Sequence, residues 1–364
     1  MFASLSLVAL LGIFAVAAGA IWTAGVKLSD TTDVLSERLG LGQALGGVIL
    51  LAIATNLPEV AITVSAAASG EVGVAVGNIL GGIAIQTVVL VALDVWGVRE
   101  KVPLTYKAAS LTLVIEGLLV VAVLIVAVMG TQLPGSLIYA RIGPAALLIA
   151  LLWVIGVWLV GRANKGLAWH DSAGDAPDTQ DAPKGQARTQ TEQAASAKGH
   201  GTLRTATVFA AAAVVTLVAG VVLERAGDAV ADHIGMSGVL FGATVLAAAT
   251  SLPELSTGLT SARAGDYQLA ISDIFGGNAF LPVLFLVATV ISGKAVLPQA
   301  QSTDIYLAGL GVLLTSTYLA GLIFRPKRLI LGMGVDSLAV LILYALGTAG
   351  LFAIAAQGGH GSTV

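Results

Sequence analysis

The sequence predicts an all-α integral membrane protein of ten transmembrane helices, arranged as two five-helix repeats inserted in opposite directions. Three observations carry this. The 364 residues are 57% hydrophobic and only 11% charged, with a mean hydropathy of +0.93. About a quarter of a soluble domain is charged, so this chain cannot cover itself in water. Its apolar residues fall into stretches long enough to cross a bilayer. The chain also matches itself without a gap when shifted by 195 residues.

A span needs roughly 20 mostly apolar residues. Such stretches lie near 4–26, 43–68, 72–96, 108–129 and 138–161, then near 204–223, 238–262, 267–291, 304–323 and 329–355. The first has no basic residue ahead of its apolar run and reads as a retained span, although Ala17-Ala18-Gly19-Ala20 mimics a cleavage site. Short turns at Gly70-Glu71 and Gly265-Asp266 join two pairs of spans. Ten spans return both termini to one side. With the N-terminus outside, the inner loops hold Lys27, Arg38, Arg99, Lys101, Lys107, Arg162, Lys165, Lys184, Arg188, Lys198, Arg204, Arg263, Arg325, Lys327 and Arg328. Arg141, Arg225 and Lys294 then fall outside, a split of 15 to 3. Basic residues concentrate on the cytoplasmic side, so both termini are placed outside. Residues 164–203 are polar and rich in Ala, Gln, Asp, Thr and Gly, and read as a flexible cytoplasmic linker. The linker separates a first repeat, 1–163, from a second, 204–364. Its acids Asp171, Asp175, Asp178 and Asp181 lack the spacing of a calcium-binding loop.

The 195-residue shift lays Gly40–Ile85 on Gly235–Phe280, with 17 of 46 pairs identical. Ala54-Thr55-Asn56-Leu57-Pro58-Glu59 falls on Ala249-Thr250-Ser251-Leu252-Pro253-Glu254. Asn78-Ile79-Leu80-Gly81-Gly82 falls on Asp273-Ile274-Phe275-Gly276-Gly277. Each half has an odd number of spans, so the second enters the membrane upside down. Inverted repeats of this kind build secondary transporters, with sites near the midplane at the repeat interface.

Glu59 and Glu254 lie well inside the second and seventh spans. An acid near the bilayer centre costs roughly 2.5–3.5 kcal/mol on insertion scales, so a symmetric pair implies function. Pro58 and Pro253 precede them, and a proline removes a backbone donor and frees carbonyls around Ala54 and Ala249. Thr55, Asn56, Thr250 and Ser251 add side-chain oxygens. Four residues apart on one helix face, Thr55 lines up with Glu59 and Thr250 with Glu254. Hydroxyl, amide, carboxylate and carbonyl oxygens, without sulfur or imidazole, suit hard cations such as Na⁺ or Ca²⁺. The paired glycines of spans three and eight permit a helix break or a close crossing. Asp273 and Gln86 are candidates for the same cavity. Glu116 is a further acid in the apolar fourth span and a candidate proton relay. Its repeat equivalent is Gly311, which leaves it outside the symmetric set.

At these residues the sequence resembles the cation/calcium exchanger superfamily, especially its bacterial and archaeal sodium/calcium exchanger branch. The resemblance implies ten helices in inverted halves and alternating access, with Na⁺ or H⁺ exchanged against Ca²⁺ or another cation. It implies that Glu59 and Glu254 are the central ligands, assisted by Thr55, Thr250 and Ser251, with Asn56 replacing a serine in the first repeat. Gly82 and Gly277 stand where the family usually has serine. Gln86 and Leu281 stand where it usually has Asn or Asp. Two other readings stay open: a monovalent Na⁺/H⁺ or K⁺/H⁺ exchanger, and a membrane scaffold or sensor that transports nothing. There is no cysteine, no catalytic nucleophile with a base, no phosphate loop and no cofactor motif. An enzyme, a cofactor and a nucleic-acid partner are therefore not expected. The partners expected are small cations and the lipid bilayer.

Overall fold

The computed structural model describes residues 5–39, 46–70, 72–108, 110–163, 201–234 and 247–358. The described residues are mostly helical, joined by short turns and two short hairpins. Among the described residues eight helices are long and apolar enough to cross a membrane, and a ninth crossing is a helix pair bent by 57°. The start of the predicted seventh span, 238–246, lies outside the described residues. So do 43–45 of the second span and linker residues 164–200, with the four linker acids.

Helix α1 is Leu7–Arg38, far longer than the predicted 4–26. The second predicted span is a π-helical segment Gly46–Leu51, then α2 (Ala52–Thr55) and α3 (Leu57–Ser69). Helix α4 is Val72–Trp96, α5 is Leu104–Ala108, α6 is Leu111–Thr131 and α7 is Pro144–Ala163. In the second half α8 is Thr202–Ile234, α9 is Ala247–Thr250 and α10 is Leu252–Ala264. Then come α11 (Tyr267–Phe280), α12 (Leu284–Ser292), α13 (Ser302–Phe324) and α14 (Val335–Gly358). A 32-residue helix such as α1 measures about 48 Å, well beyond the roughly 30 Å hydrocarbon layer. Apolar length therefore understated α1 and α8. Their helical bonding continues past the membrane boundary, where Lys27 pairs with Asp30 at 3.5 Å.

The two proline segments break in the same way. Asn56 has φ −87° and ψ 13°, and Ser251 has φ −83° and ψ 6°. Both sit in the sparsely used bridge region between helix and strand. Pro58 and Pro253 start the next helix at a position where a missing N–H costs nothing. Both restarted helices run 13 residues and end at a glycine of positive φ, Gly70 (84°) and Gly265 (89°). Only glycine takes that conformation without a steric cost.

The paired glycines do not break their helices. Helix α4 runs unbroken through Gly81-Gly82, with Gly81 and Gly82 facing Leu307 and Leu281. The predicted eighth span does break, but later, at the 3-10 turn Leu281–Val283. Pro282 cannot donate to the preceding turn and splits α11 from α12. Its partner in the first repeat is Thr87, so α4 stays whole.

Helices α4 and α11 are the most buried, packed against α6, α12 and α13 in one continuous apolar core. The peripheral helices expose large apolar side chains such as Val8, Val16, Trp158 and Leu346. On a membrane protein that surface meets lipid rather than water. Helices α1 and α8 lie along each other, and each also crosses the other half: α1 rests on α10, and α8 on α3. Gly25 of α1 touches Ser256 and the Pro253 carbonyl, and Gly220 of α8 touches the Pro58 ring. These glycines are also 195 residues apart, so the repeat register extends into the first span of each half.

Each half ends with a helix entered through a tight reverse turn. Tyr139 bridges Ile142 across Ala140 and Arg141, and β1 (Leu329–Ile330) pairs with β2 (Met333–Gly334) across Leu331 and Gly332. All four turn residues have positive φ. The predicted tenth span therefore begins at Val335 rather than 329. Near this second hairpin Asp94 joins the two halves. Its carboxylate accepts from Leu104 N and Gly334 N, both at 2.6 Å, while Thr105 donates to Asp336 at 2.5 Å.

Candidate cation-binding site

Both helix breaks open toward the middle of α4 and α11. Glu59 and Glu254 are 1% and 0% exposed, and Thr55, Asn56, Gln86, Thr250, Ser251 and Asp273 are buried with them. The bends place the breaks side by side. Glu254 lies within electrostatic reach of both Glu59 and Asp273, and Thr55 of the first repeat faces it. Every predicted site residue but Glu116 therefore lies at or beside the two breaks.

The contacts cross the repeats more than the one-face argument foresaw. That argument assumed an unbroken helix. With the helix interrupted at Asn56, the Thr55 hydroxyl donates to Asp273 Oδ1 at 3.3 Å, a residue of the other repeat. Thr257 donates to Asp273 Oδ2 at 2.5 Å. Asp273 is thereby tied to both broken spans. On the other side of Glu254, Gln86 Nε2 donates to Asn56 Oδ1 at 3.0 Å and reaches Glu254 Oε1 at 3.5 Å. Asn56 Nδ2 in turn donates to the Ala52 carbonyl at 2.7 Å. The expected supply of free carbonyl oxygen is thus partly consumed: Ala52 O also accepts from Asn56 N and from Thr55 Oγ1, both at 3.3 Å.

Burying three carboxylates together is costly, by several kcal/mol for each ion left uncompensated. No lysine or arginine supplies a salt bridge to Glu254 or Asp273 among the described residues. Among the same residues, no three acids or histidines converge as one metal-holding group. Glu254 Oε2, Gln86 Oε1 and Asn278 Oδ1 are buried with no hydrogen-bond partner. An exchangeable cation or a proton would satisfy such oxygens, whereas an apolar filling would leave them bare.

A family profile described as "Sodium/calcium exchanger protein" matches residues 9–163 and 204–354. The chain belongs to the sodium/calcium exchanger family. The exchanger is a secondary-active cation antiporter of that type. Among its relatives is the inner membrane protein YrbG of Escherichia coli (strain K12), 26% identical over 280 residues, which cover 76% of this chain and 78% of YrbG. Sodium/potassium/calcium exchanger 1 of Homo sapiens is 37% identical over 78 residues, 20% of this chain and 7% of the human protein. The fold is shared with the sodium-calcium exchanger NCX_Mj, in crystals soaked with zero Na⁺ and Ca²⁺. The TM-score is 0.64 at 15% identity, over 94% of this chain and 99% of that one.

Glu116 stands apart in the exchanger. It is buried on α6 beside Ser272, the residue before Asp273 on α11. It approaches the pocket from behind that helix. Sequence reading missed Thr257, because its repeat partner is Ile62 and the register gives no polar pair there. The available signal was local: Thr257 is three residues past Glu254 and so lies on the same helix face. Asn278, which donates to Thr87 at 3.0 Å, was also missed.

Proposed function

We propose that this exchanger moves cations by alternating access through the pocket between its two broken spans. Glu59 and Glu254 serve as the principal ligands. Thr55, Thr250, Ser251, Asn56, Gln86 and Asp273 complete the surroundings. Na⁺ or H⁺ moves down its gradient in exchange for Ca²⁺ or another cation. The observation that carries this is the position of Glu254. An acid of the second repeat is buried against Thr55 and Gln86 of the first, so one ion there contacts both halves at once. A ligand shared by two inverted halves is released when they move relative to each other. Glu116, buried beside Ser272 behind α11, is the candidate proton relay in this scheme.

The working unit comprises the repeats 1–163 and 204–364, joined by the linker 164–203 on the cytoplasmic side, with both termini outside. The 15-to-3 distribution of basic residues supports that orientation. The deciding experiment is cation flux in proteoliposomes, with Na⁺, K⁺, Ca²⁺, Mg²⁺, Mn²⁺ and pH gradients offered in turn. Glu59→Gln and Glu254→Gln are each expected to abolish exchange while the protein remains folded. Parent-like flux in both variants would refute the site.

A further inference from the structure

Two unmet oxygens belong to one residue, Asn278, at the break between α11 and α12. Pro282 has no N–H to give the Asn278 carbonyl, four residues before it. The neighbouring donors are committed elsewhere: Leu281 N donates to Gly277 O, and Leu284 N to the carbonyls of Leu281 and Pro282. The Asn278 carbonyl thus loses its helical partner. The Asn278 side chain adds a second bare oxygen. Thr87 Oγ1 donates its one proton to Ile83 O at 2.9 Å, so toward Asn278, 3.0 Å away, it only accepts. Asn278 must present Nδ2 there, which turns Oδ1 away from the hydroxyl. That Oδ1 is buried without a partner, on a side chain with no exposed surface. In the first repeat the corresponding point is sealed. Ile83 and Thr87 match Asn278 and Pro282 in the 195-residue register, α4 is continuous there, and Ile83 O takes the Thr87 hydroxyl besides. The break lies one residue from the carboxylate pocket on both helices. Gln86 precedes Thr87, and Gly277, which abuts Asn56 Nδ2, precedes Asn278.

We propose that the Pro282 break is a second cation seat, built on Asn278 Oδ1 and the Asn278 carbonyl with Thr87 Oγ1 beside them, and that it takes a monovalent ion, Na⁺ or K⁺. A buried acceptor left unmet costs its full desolvation, and a bound ion removes that cost. Unwound carbonyls of broken membrane helices are the groups that hold Na⁺ in transporters. The oxygens here are amide, carbonyl and hydroxyl, and none carries a charge. Affinity for Ca²⁺ rises with the charge of its ligands, so this seat favours the monovalent ion. It stands independently of whether Glu254 holds the transported cation.

The test is thermal unfolding of the full chain in detergent and choline chloride, titrated with NaCl, KCl or CaCl₂. The double variant Glu59→Gln/Glu254→Gln removes two charges from the pocket and isolates the seat. In that background the melting temperature is expected to rise with Na⁺ or K⁺, and the midpoint for Ca²⁺ to lie at least about tenfold higher. Adding Asn278→Leu is expected to abolish the monovalent response. Adding Pro282→Ala returns the missing N–H without touching a side-chain oxygen, and is expected to raise the Na⁺ midpoint about tenfold. No monovalent response in the double variant, which is what a water on Asn278 Oδ1 would give, overturns the proposal. So does a response that Asn278→Leu and Pro282→Ala leave unchanged. Should neither addition fold, equilibrium dialysis of the double variant against ²²Na⁺ decides: an ion displaced by K⁺ but not by Ca²⁺ supports the seat, and no bound ion refutes it. Parent-like flux in Glu254→Gln would sink the carboxylate pocket and leave the seat standing.

Discussion

Thr257→Val isolates the anchor of Asp273. Valine keeps the shape of threonine and removes only the hydroxyl that donates to Asp273 Oδ2 at 2.5 Å. Asp273 and Thr257 are both fully buried, so bulk water does not simply replace the donor. A hydrogen bond to a charged group contributes about 1.5–3 kcal/mol, and the bare carboxylate oxygen left behind adds to the loss. Thr55 does not compensate, because its 3.3 Å contact is to the other oxygen and is shared with Ala52 O. For a chain of this size the cost corresponds to a fall of a few degrees in melting temperature. The assay is thermal unfolding in detergent, first without transportable cations and then with saturating Ca²⁺ or Na⁺. The variant should melt lower in the cation-free buffer and regain much of the difference when a cation satisfies the exposed oxygen. A variant within about 1 °C of the parent in both buffers would show that Thr257 does not hold Asp273, and the account of that carboxylate would fail.

Two further outcomes follow from other parts of the fold. Asp94→Ala strands two buried N–H groups, those of Leu104 and Gly334, and should cost about 2–6 kcal/mol, read as a lowered melting temperature; parent-like melting would remove Asp94 as the tie between halves. Burial raises the Asp266 carboxyl to about 6, against the opposing hydrogen bond from Leu269 N. The folded state therefore holds this proton more tightly than the unfolded chain, and stability falls as pH rises from about 4 through about 6. Asparagine caps a helix as well as aspartate does. Asp266→Asn should thus melt higher than the parent at pH 7.5, with the gap closing toward pH 4; a gap independent of pH would refute the assignment.

Much of the architecture was legible because a membrane imposes simple rules on a sequence. Apolar length marked the spans, and the 195-residue register marked Glu59 and Glu254 as a pair. The register also bound the breaks together, since the same Pro in the same context bends both helices. What escaped was whatever the register does not repeat. Pro282 splits one helix while Thr87 leaves its partner whole. Thr257 is opposite Ile62, and no pairwise match announces it. Gln86 was recognised as polar and central, but sequence alone could not say which end of its amide faces Glu254. That direction comes from a carbonyl 34 residues away, Ala52, acting through Asn56. The overlong α1 and α8 were missed for a different reason: hydropathy reports where lipid ends, and a helix supported by a neighbouring helix does not stop there.

Gly25 against Pro253 and Gly220 against Pro58 place the same bearing at both ends of one mechanism. Neither glycine has a side chain to catch on its partner, so Gly25 lies close against the Ser256 side chain and the Pro253 carbonyl, and Gly220 against the Pro58 ring. If the halves were identical, exchanging their roles would return the same molecule viewed from the other face of the membrane. The inward-open and outward-open forms would then have equal energy, and empty carriers would divide evenly between them. Any resting preference must come from the pairs that differ, among them Asn78 with Asp273, Gln86 with Leu281, Glu116 with Gly311 and Ala61 with Ser256. A difference of 1.4 kcal/mol between the two forms would leave about ten carriers facing one side for each facing the other. The residues that spoil the symmetry are therefore the ones that choose which side of the membrane the empty protein faces.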